Sequence, residues 1–250
     1  RVGDAVLEMP ESRANGRASG VLALPLEEVE VESTSRWITL EVVPRRGDVR
    51  EFRAHALLLS DDGVSVISDI DDTIKVSEVH DRRRLLENTF VEPARAVPGM
   101  AAAYRRWARD GAAFHYVSNS PLPLLASLRD FVQAEDFPRG SLALRPFRWK
   151  DGSAFDLLGT DDFKQAEIER LIGSFARRRF VLVGDVGERD PEIYASVASR
   201  FPDRVARIWL RDPTVGGTPG LDERLGSVFD ELPDSLWNVF SEGADLPEDF

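Results

Sequence analysis

From residue 64 to residue 212, short apolar runs alternate with helix-like segments, and this alternation constrains the fold more than any other feature of the chain. The runs are VSVISD (64–69), AAFHYVSNS (112–120), SLALRPF (141–147), RFVLVGD (179–185) and RVARIWLRD (204–212). They are strand-length and rich in β-branched and aromatic residues. Between them lie PGMAAAYRRWARDG (98–111), PLPLLASLRDFVQAE (121–135), DDFKQAEIERLIGSFARR (161–178) and DPEIYASVASRF (190–201), which are apolar at helical spacing. Several of these open on Pro or Asp, which suit the first turn of a helix. Apolar strands joined through helices predict an α/β fold, a Rossmann-like and mostly parallel sheet with helices on both faces.

The first 60 residues read differently. VLALPLEEVEVES, WITLEVVP and EFRAHALLL alternate or run apolar, separated by turn-type stretches such as RRGD and SDDG. They predict antiparallel strands in a small β-rich domain of residues 1–60, ahead of an α/β domain of residues 61–250. Nothing in the first part points to chemistry. Asp212–Gly220 reads as a loop, and the acidic tail from Asp230 as a solvated terminal segment anchored by Leu236, Trp237 and Phe240.

At 250 residues the chain can bury one large core, alone or with a small satellite domain. Its net charge of −12 weighs against nucleic acid as a partner and against broad attraction to anionic membranes, though not against a local basic patch. No apolar run approaches the roughly 20 residues that span a bilayer. No secretory apolar region opens the chain, although a start at Arg1 rather than Met leaves a preceding targeting segment or a truncation open. The absence of cysteine removes disulfides, thiolate chemistry and Cys-based zinc sites, and it suits a reducing cytoplasm.

In open α/β sheets the ligand site lies at the carboxyl ends of the strands. The first apolar run ends in Asp69-Ile70-Asp71-Asp72-Thr73, a concentration of negative charge that costs free energy unless solvated or neutralised. The second ends in Ser118-Asn119-Ser120, and the fourth in Gly184-Asp185 followed by Asp190. Lys164 stands near the start of the preceding helical segment. Any one of these alone reads as a turn, a helix cap or a solvated side chain. The ordered set is far more specific.

That order, D-x-D-x-T, then Ser, then Lys, then G-D-x-x-x-x-D, resembles the haloacid dehalogenase superfamily of aspartate-based phosphotransferases. VISDIDDTIKVSEV, LLENTF, AVPGM, FHYVSNSP, LRPFRWKDG, FVLVGDVGERDPEIY and RFPDRVARIWLRD are similar to the catalytic-domain family of the actin-patch phosphatidate phosphatase, over roughly residues 60–212. The resemblance implies a haloacid dehalogenase fold and a Mg²⁺-dependent phosphomonoesterase. Asp69 would be the nucleophile and Asp71 the general acid, with a pKa raised by neighbouring carboxylates. Asp69, the Asp71 backbone carbonyl and Asp185 would hold Mg²⁺, with Asp190 supporting them. Ser118 and Lys164 would hold the phosphoryl oxygens, and Thr73 and Asn119 would orient Asp71 and the phosphate. Asp72 is expected to be structural. Asp190, before Pro191, also fits a helix N-cap, and one residue can serve both roles.

The implied substrate is phosphatidate or a related lipid phosphate, met by a cytoplasmic protein with peripheral contact at a membrane. The intervals between Asp69, Ser118 and Lys164 are too short for a full globular cap, so the cleft is expected to be open, partly covered by segments 76–97 and 148–160. His115 reads as a packed strand residue, and His80 as a weak site candidate. Arg82, Arg83 and Arg84, and Arg145, Arg148, Trp149 and Lys150, are basic stretches that fit either surface salt bridges or attraction of an anionic headgroup. Two rival functions remain: hydrolysis of a protein or nucleic-acid terminal phosphate, and a non-catalytic module binding anionic lipid.

Overall fold

The computed structural model describes residues 1–12, 18–25, 37–44, 47–76, 94–146 and 162–249. The chain forms two compact units, Arg1–Ser60 and Asp61–Phe250. In the first, β1 (Trp37–Val42) and β2 (Phe52–Leu57) pair antiparallel, with Trp37 opposite Leu57. Residues 21–25, expected to begin a strand, are not in one. They end at Pro25, which has no N–H to offer a ladder. The rest of that segment lies outside the described residues.

In the second unit the strands are β3 (Val64–Ser68), β4 (Lys75–Val76), β5 (Arg95–Ala96), β6 (Ala113–Pro121), β7 (Ser141–Arg145), β8 (Arg179–Asp185), β9 (Val205–Arg211) and β10 (Trp237–Phe240). The helices are α1 (Met100–Arg109), α2 (Leu125–Ala134), α3 (Asp162–Gly173), α4 (Asp190–Arg200) and α5 (Leu221–Val228). Six strands form one sheet in the order β10-β9-β8-β3-β6-β7, and every neighbouring pair is parallel. β4 and β5 make a separate two-residue antiparallel pair.

Adjacent residues of the central strands serve opposite cores, as the period of two demands. Val66, Phe114, Tyr116, Val181 and Val183 pack with Tyr104, Trp107, Leu128 and Phe131 of α1 and α2. Ile67, Val117, Phe180 and Leu182 pack with Ile168, Ile172, Ile193, Val197 and Leu225 of α3, α4 and α5. This is the α/β architecture anticipated, with helices on both faces.

Two further expectations need correction, and one helix was not among them. The acidic tail is not merely a solvated, anchored segment. Trp237–Phe240 adds the sixth strand beside β9, Leu246 is buried, and Trp107 Nε1 donates to Pro247 O at 3.1 Å. Its acids stand at exposed positions before and after this strand. Helix α5 was not anticipated. Helix α3 stops at Gly173 rather than running on to 178, because Asp61 accepts from the Ala176 N–H while Arg177 and Arg178 turn to Asp62 and Ser65. Among the described residues, no helix is long and apolar enough to cross a membrane.

Candidate active site

β3 lies at the switch point of the sheet, because the chain continues to β6 on one side while β8 pairs on the other. The crevice beyond its carboxyl end is where such sheets bind ligands. Asp69 follows β3 directly, is 2% exposed, and donates its backbone N–H to Val183 O at 2.8 Å. A tight turn follows, in which the Ile74 and Lys75 N–H groups both reach Ile70 O at 3.0 Å. Asp72 takes positive φ (57°) within it, a conformation that Asp tolerates better than most residues, and its carbonyl accepts from Arg211 Nη1 at 2.6 Å.

The turn brings Thr73 back onto Asp69. Thr73 Oγ1 donates to Asp69 Oδ2 at 3.0 Å. Thr73 therefore orients Asp69, not Asp71 as expected from the sequence. Lys164, fully buried on the inner side of α3, lies 2.8 Å from Asp69 Oδ1 and also donates to Asp190 Oδ1. The solvated-lysine alternative is excluded by that burial.

β8 and α4 supply the other acids. Asp190 is not the N-cap expected; Arg189 holds that position and Asp190 lies in the first turn. Its carboxylate folds back toward β8 instead, where Oδ2 accepts from the Asp185 N–H at 3.3 Å and from Tyr194 OH at 3.4 Å. Gly184 makes that approach possible, since a Cβ there would lie 2.2 Å from Asp190 Oδ2. Asp185 Oδ2 accepts from the Gly187 and Glu188 N–H groups at 2.6 and 3.1 Å, which leaves Oδ1 buried without a partner.

One carboxylate oxygen each from Asp69, Asp185 and Asp190 lie within 4.8 Å of one another. Three carboxylates face one buried ammonium, so charge neutrality needs protons or a cation. Burial, with Asp190, Asp185 and Glu188 nearby, pushes Asp69 well above the ordinary carboxylate range against the pull of Lys164. Asp185 is pushed up to about 7 by burial, Asp190 and Glu188. Lys164 is raised despite its burial, chiefly by Asp190 and Asp69. A hard, oxygen-only set with an orphaned Asp185 Oδ1 fits a divalent cation of the Mg²⁺ type.

Asp71 stands apart from this cluster. Its Oδ1 accepts from Lys75 Nζ at 2.8 Å, and its Oδ2 from Ser120 Oγ at 2.8 Å and Ser118 Oγ at 3.2 Å. Burial alone would raise Asp71, but Lys75 and the two serines outweigh it and hold the pKa below its ordinary value. The sequence-based expectation of a carboxylate raised by its neighbours therefore describes Asp69, not Asp71. Ser120 takes the orienting role expected of Asn119. Residues 118 and 120 of a strand share a face and residue 119 does not, a signal that was present in the sequence. The spacing of four from Asp71 to Lys75 carried no comparable signal, because the intervening turn had to be known.

His115 is buried in β6 between Ser65 Oγ (3.1 Å) and Ser141 Oγ (2.7 Å), as a packed residue. His80, Arg82, Arg83, Arg84, Arg148, Trp149, Lys150 and most of the two expected covering segments lie outside the described residues.

The family model for the catalytic domain of the phosphatidate phosphatase APP1 matches residues 64–212, which contain every residue placed above at the Asp69 cluster and around Asp71. The chain belongs to this family. It is 33% identical to phosphatidate phosphatase APP1 of Saccharomyces cerevisiae over 172 residues, covering 65% of this chain and 28% of that protein. It is 32% identical to an uncharacterized protein of Schizosaccharomyces pombe over 168 residues, covering 66% of this chain and 27% of that one. The aligned part is thus less than a third of either relative. Among solved structures, the class C acid phosphatase from Bacillus anthracis aligns with TM-score 0.37 at 14% identity, covering 58% of this chain and 66% of that one.

Proposed function

We propose that the chain is a Mg²⁺-dependent phosphomonoester hydrolase of the haloacid dehalogenase superfamily, acting on phosphatidate or a related lipid phosphate from the cytoplasmic side of a membrane. The observation that carries the reading is the pairing of Asp69, fixed by Thr73 and Lys164, with a separately held carboxylate, Asp71. In this reading one acid attacks and the other moves a proton. Membership of the phosphatidate phosphatase family supports the substrate class.

In the first step an Asp69 carboxylate oxygen bonds to phosphorus as the bond from phosphorus to the alcohol oxygen breaks. The leaving oxygen takes its proton through Asp71, which Ser118 and Ser120 hold in place; Lys75 and these serines favour the ionised carboxylate in the free fold, so this proton enters with the phosphomonoester monoanion. In the second step Asp71, now ionised, accepts a proton from water as that water's oxygen attacks phosphorus. Phosphate leaves and the Asp69 carboxylate is regenerated. Lys75 stabilises the ionised form of Asp71, which suits this second step. Asp69, Asp185 and Asp190 would hold the Mg²⁺, which supplies neutralising charge to the phosphoryl oxygens. Lys164 fixes the nucleophile and adds positive charge where negative charge develops.

The test is Mg²⁺-dependent phosphate release from short-chain phosphatidate, lysophosphatidate, nucleotides, sugar phosphates and a phosphopeptide, with Asp69→Asn as control. Undiminished activity in Asp69→Asn would overturn the mechanism. Preference for a soluble sugar phosphate over every lipid would overturn the substrate class alone.

A further inference from the structure

The described residues of the unit Asp61–Phe250 leave four large apolar side chains exposed: Leu122 (41%), Leu125 (38%), Val215 (102%) and Val239 (39%). A lone exposed valine or leucine needs no explanation. These four share one end of the sheet. Leu122 and Leu125 follow the carboxyl end of β6, Val215 follows that of β9, and Val239 is the penultimate residue of β10. The amino end instead carries charge, with Arg177 paired to Asp62 at 2.7 Å and Arg178 held by the Val64 carbonyl.

The two apolar segments bracket the candidate site. Leu122 stands two residues beyond Ser120, which touches Asp71. On the other side, Arg211 at the end of β9 donates to the Asp72 carbonyl, and the Val215 loop leaves from there. That loop is firmly built. Asp212, 5% exposed, accepts from the Thr214 N–H (2.9 Å), the Thr218 N–H (2.7 Å) and Thr218 Oγ1 (2.8 Å). Gly216 and Gly217 take positive φ (86° and 84°) at its turn. The staple holds Val215 wholly in solvent.

We propose that this edge docks on a lipid bilayer, with the Val215 loop and the Leu122–Leu125 turn entering the boundary between headgroups and acyl chains on either side of Asp69. The inference rests on the lipid-phosphate reading above. A phosphomonoester on a lipid lies in the plane of the headgroups, so the edge bearing the nucleophile must meet that plane. The net charge of −12 supplies no overall attraction to an anionic bilayer, and among the described residues of this edge it is the exposed apolar side chains that can insert. Added salt then screens repulsion and strengthens binding, where a basic patch would lose affinity.

The probe is phosphatidylcholine vesicles carrying phosphatidate, with the metal chelated so that no turnover occurs. Val215→Asp is fully exposed, and Leu125→Asp places an acid in the first turn of α2, where the helix dipole favours it. Each is expected to weaken vesicle co-sedimentation by about tenfold, and the double variant by more. Hydrolysis of p-nitrophenyl phosphate and the unfolding temperature should not change. Because the chain has no cysteine, Val215→Cys takes a single environment-sensitive dye, whose emission should shift to the blue on vesicles. Parent-like binding by the double variant, no dye shift, or binding abolished by salt would overturn the proposal. Val215-dependent binding without phosphatidate hydrolysis would keep the docking surface and remove the substrate reading instead.

Discussion

Lys164 Nζ lies 2.8 Å from Asp69 Oδ1 and at the same time donates to Asp190, so one fully buried ammonium links the end of β3 to the first turn of α4. Removing it strands carboxylates in a low dielectric, a loss of about 3–5 kcal/mol for a broken buried pair. Lys164→Met should therefore lower the unfolding temperature in chelator, with partial recovery on adding Mg²⁺. Phosphate release should fall by about 10²–10³-fold. An unchanged unfolding temperature would show that the ammonium does not balance the cluster.

The pH dependence of metal binding follows from Asp185. Its pKa in the metal-free fold, raised from 3.8 to about 7, means that the folded state holds a proton the unfolded state has already lost in that window. Metal-free stability should then fall as pH rises from about 4 to 7. Mg²⁺ must displace that proton, and Asp69 is raised as well, so its affinity should climb as pH rises through about 7. Calorimetric titration in two buffers of different ionisation enthalpy measures the proton released. Binding independent of pH with no proton release would contradict the assignment.

The sheet was legible in the sequence because its strands are continuous apolar runs bounded by turn residues. The carboxyl-edge rule then made Asp69, Ser118, Lys164 and Asp185 readable as a set. What escaped was whatever depends on a turn's path or on a distant partner. Thr73 binds Asp69 rather than Asp71 because of the tight turn at Ile70. Lys75 reaches Asp71 through that same turn. Trp237–Phe240 looked like an acidic tail because a short edge strand can read WNVF only when β9 is known to lie beside it. Asp190, read both as a support for the metal and as a helix cap, is not the cap, because its side chain turns back over a bare Gly184.

The division of roles proposed for Asp69 and Asp71 predicts different responses to leaving-group chemistry. Asp71→Asn should cost about 10²–10⁴-fold on an alkyl phosphate, whose alkoxide needs a proton, and far less on p-nitrophenyl phosphate. Ser120→Ala frees Asp71 Oδ2 from its 2.8 Å partner and should show the same selectivity at about a tenfold loss. Asp69→Asn should abolish turnover of both substrates. Equal losses on both substrates in Asp71→Asn would remove it from the proton-transfer role.

Acid sensitivity of the fold should come in part from the opposite end of the sheet. Arg178 Nε donates to Ser65 Oγ at 2.7 Å, and the His115 ring sits between Ser65 Oγ, 3.1 Å from Nε2, and Ser141 Oγ, 2.7 Å from Nδ1. Burial, with Arg178 and Arg170 nearby, lowers the His115 pKa from 6.5 to about 4. The unfolded chain takes up a proton below about pH 6.5 that the folded chain refuses, so stability is lost as pH falls from there toward 4. The loss is of order 3 kcal/mol. His115→Gln keeps a hydrogen-bonding side chain but does not titrate, so its unfolding free energy should fall less than the parent's between pH 7 and pH 5. Urea unfolding at both values measures the difference, and identical slopes for parent and variant would rule His115 out as the acid-labile group.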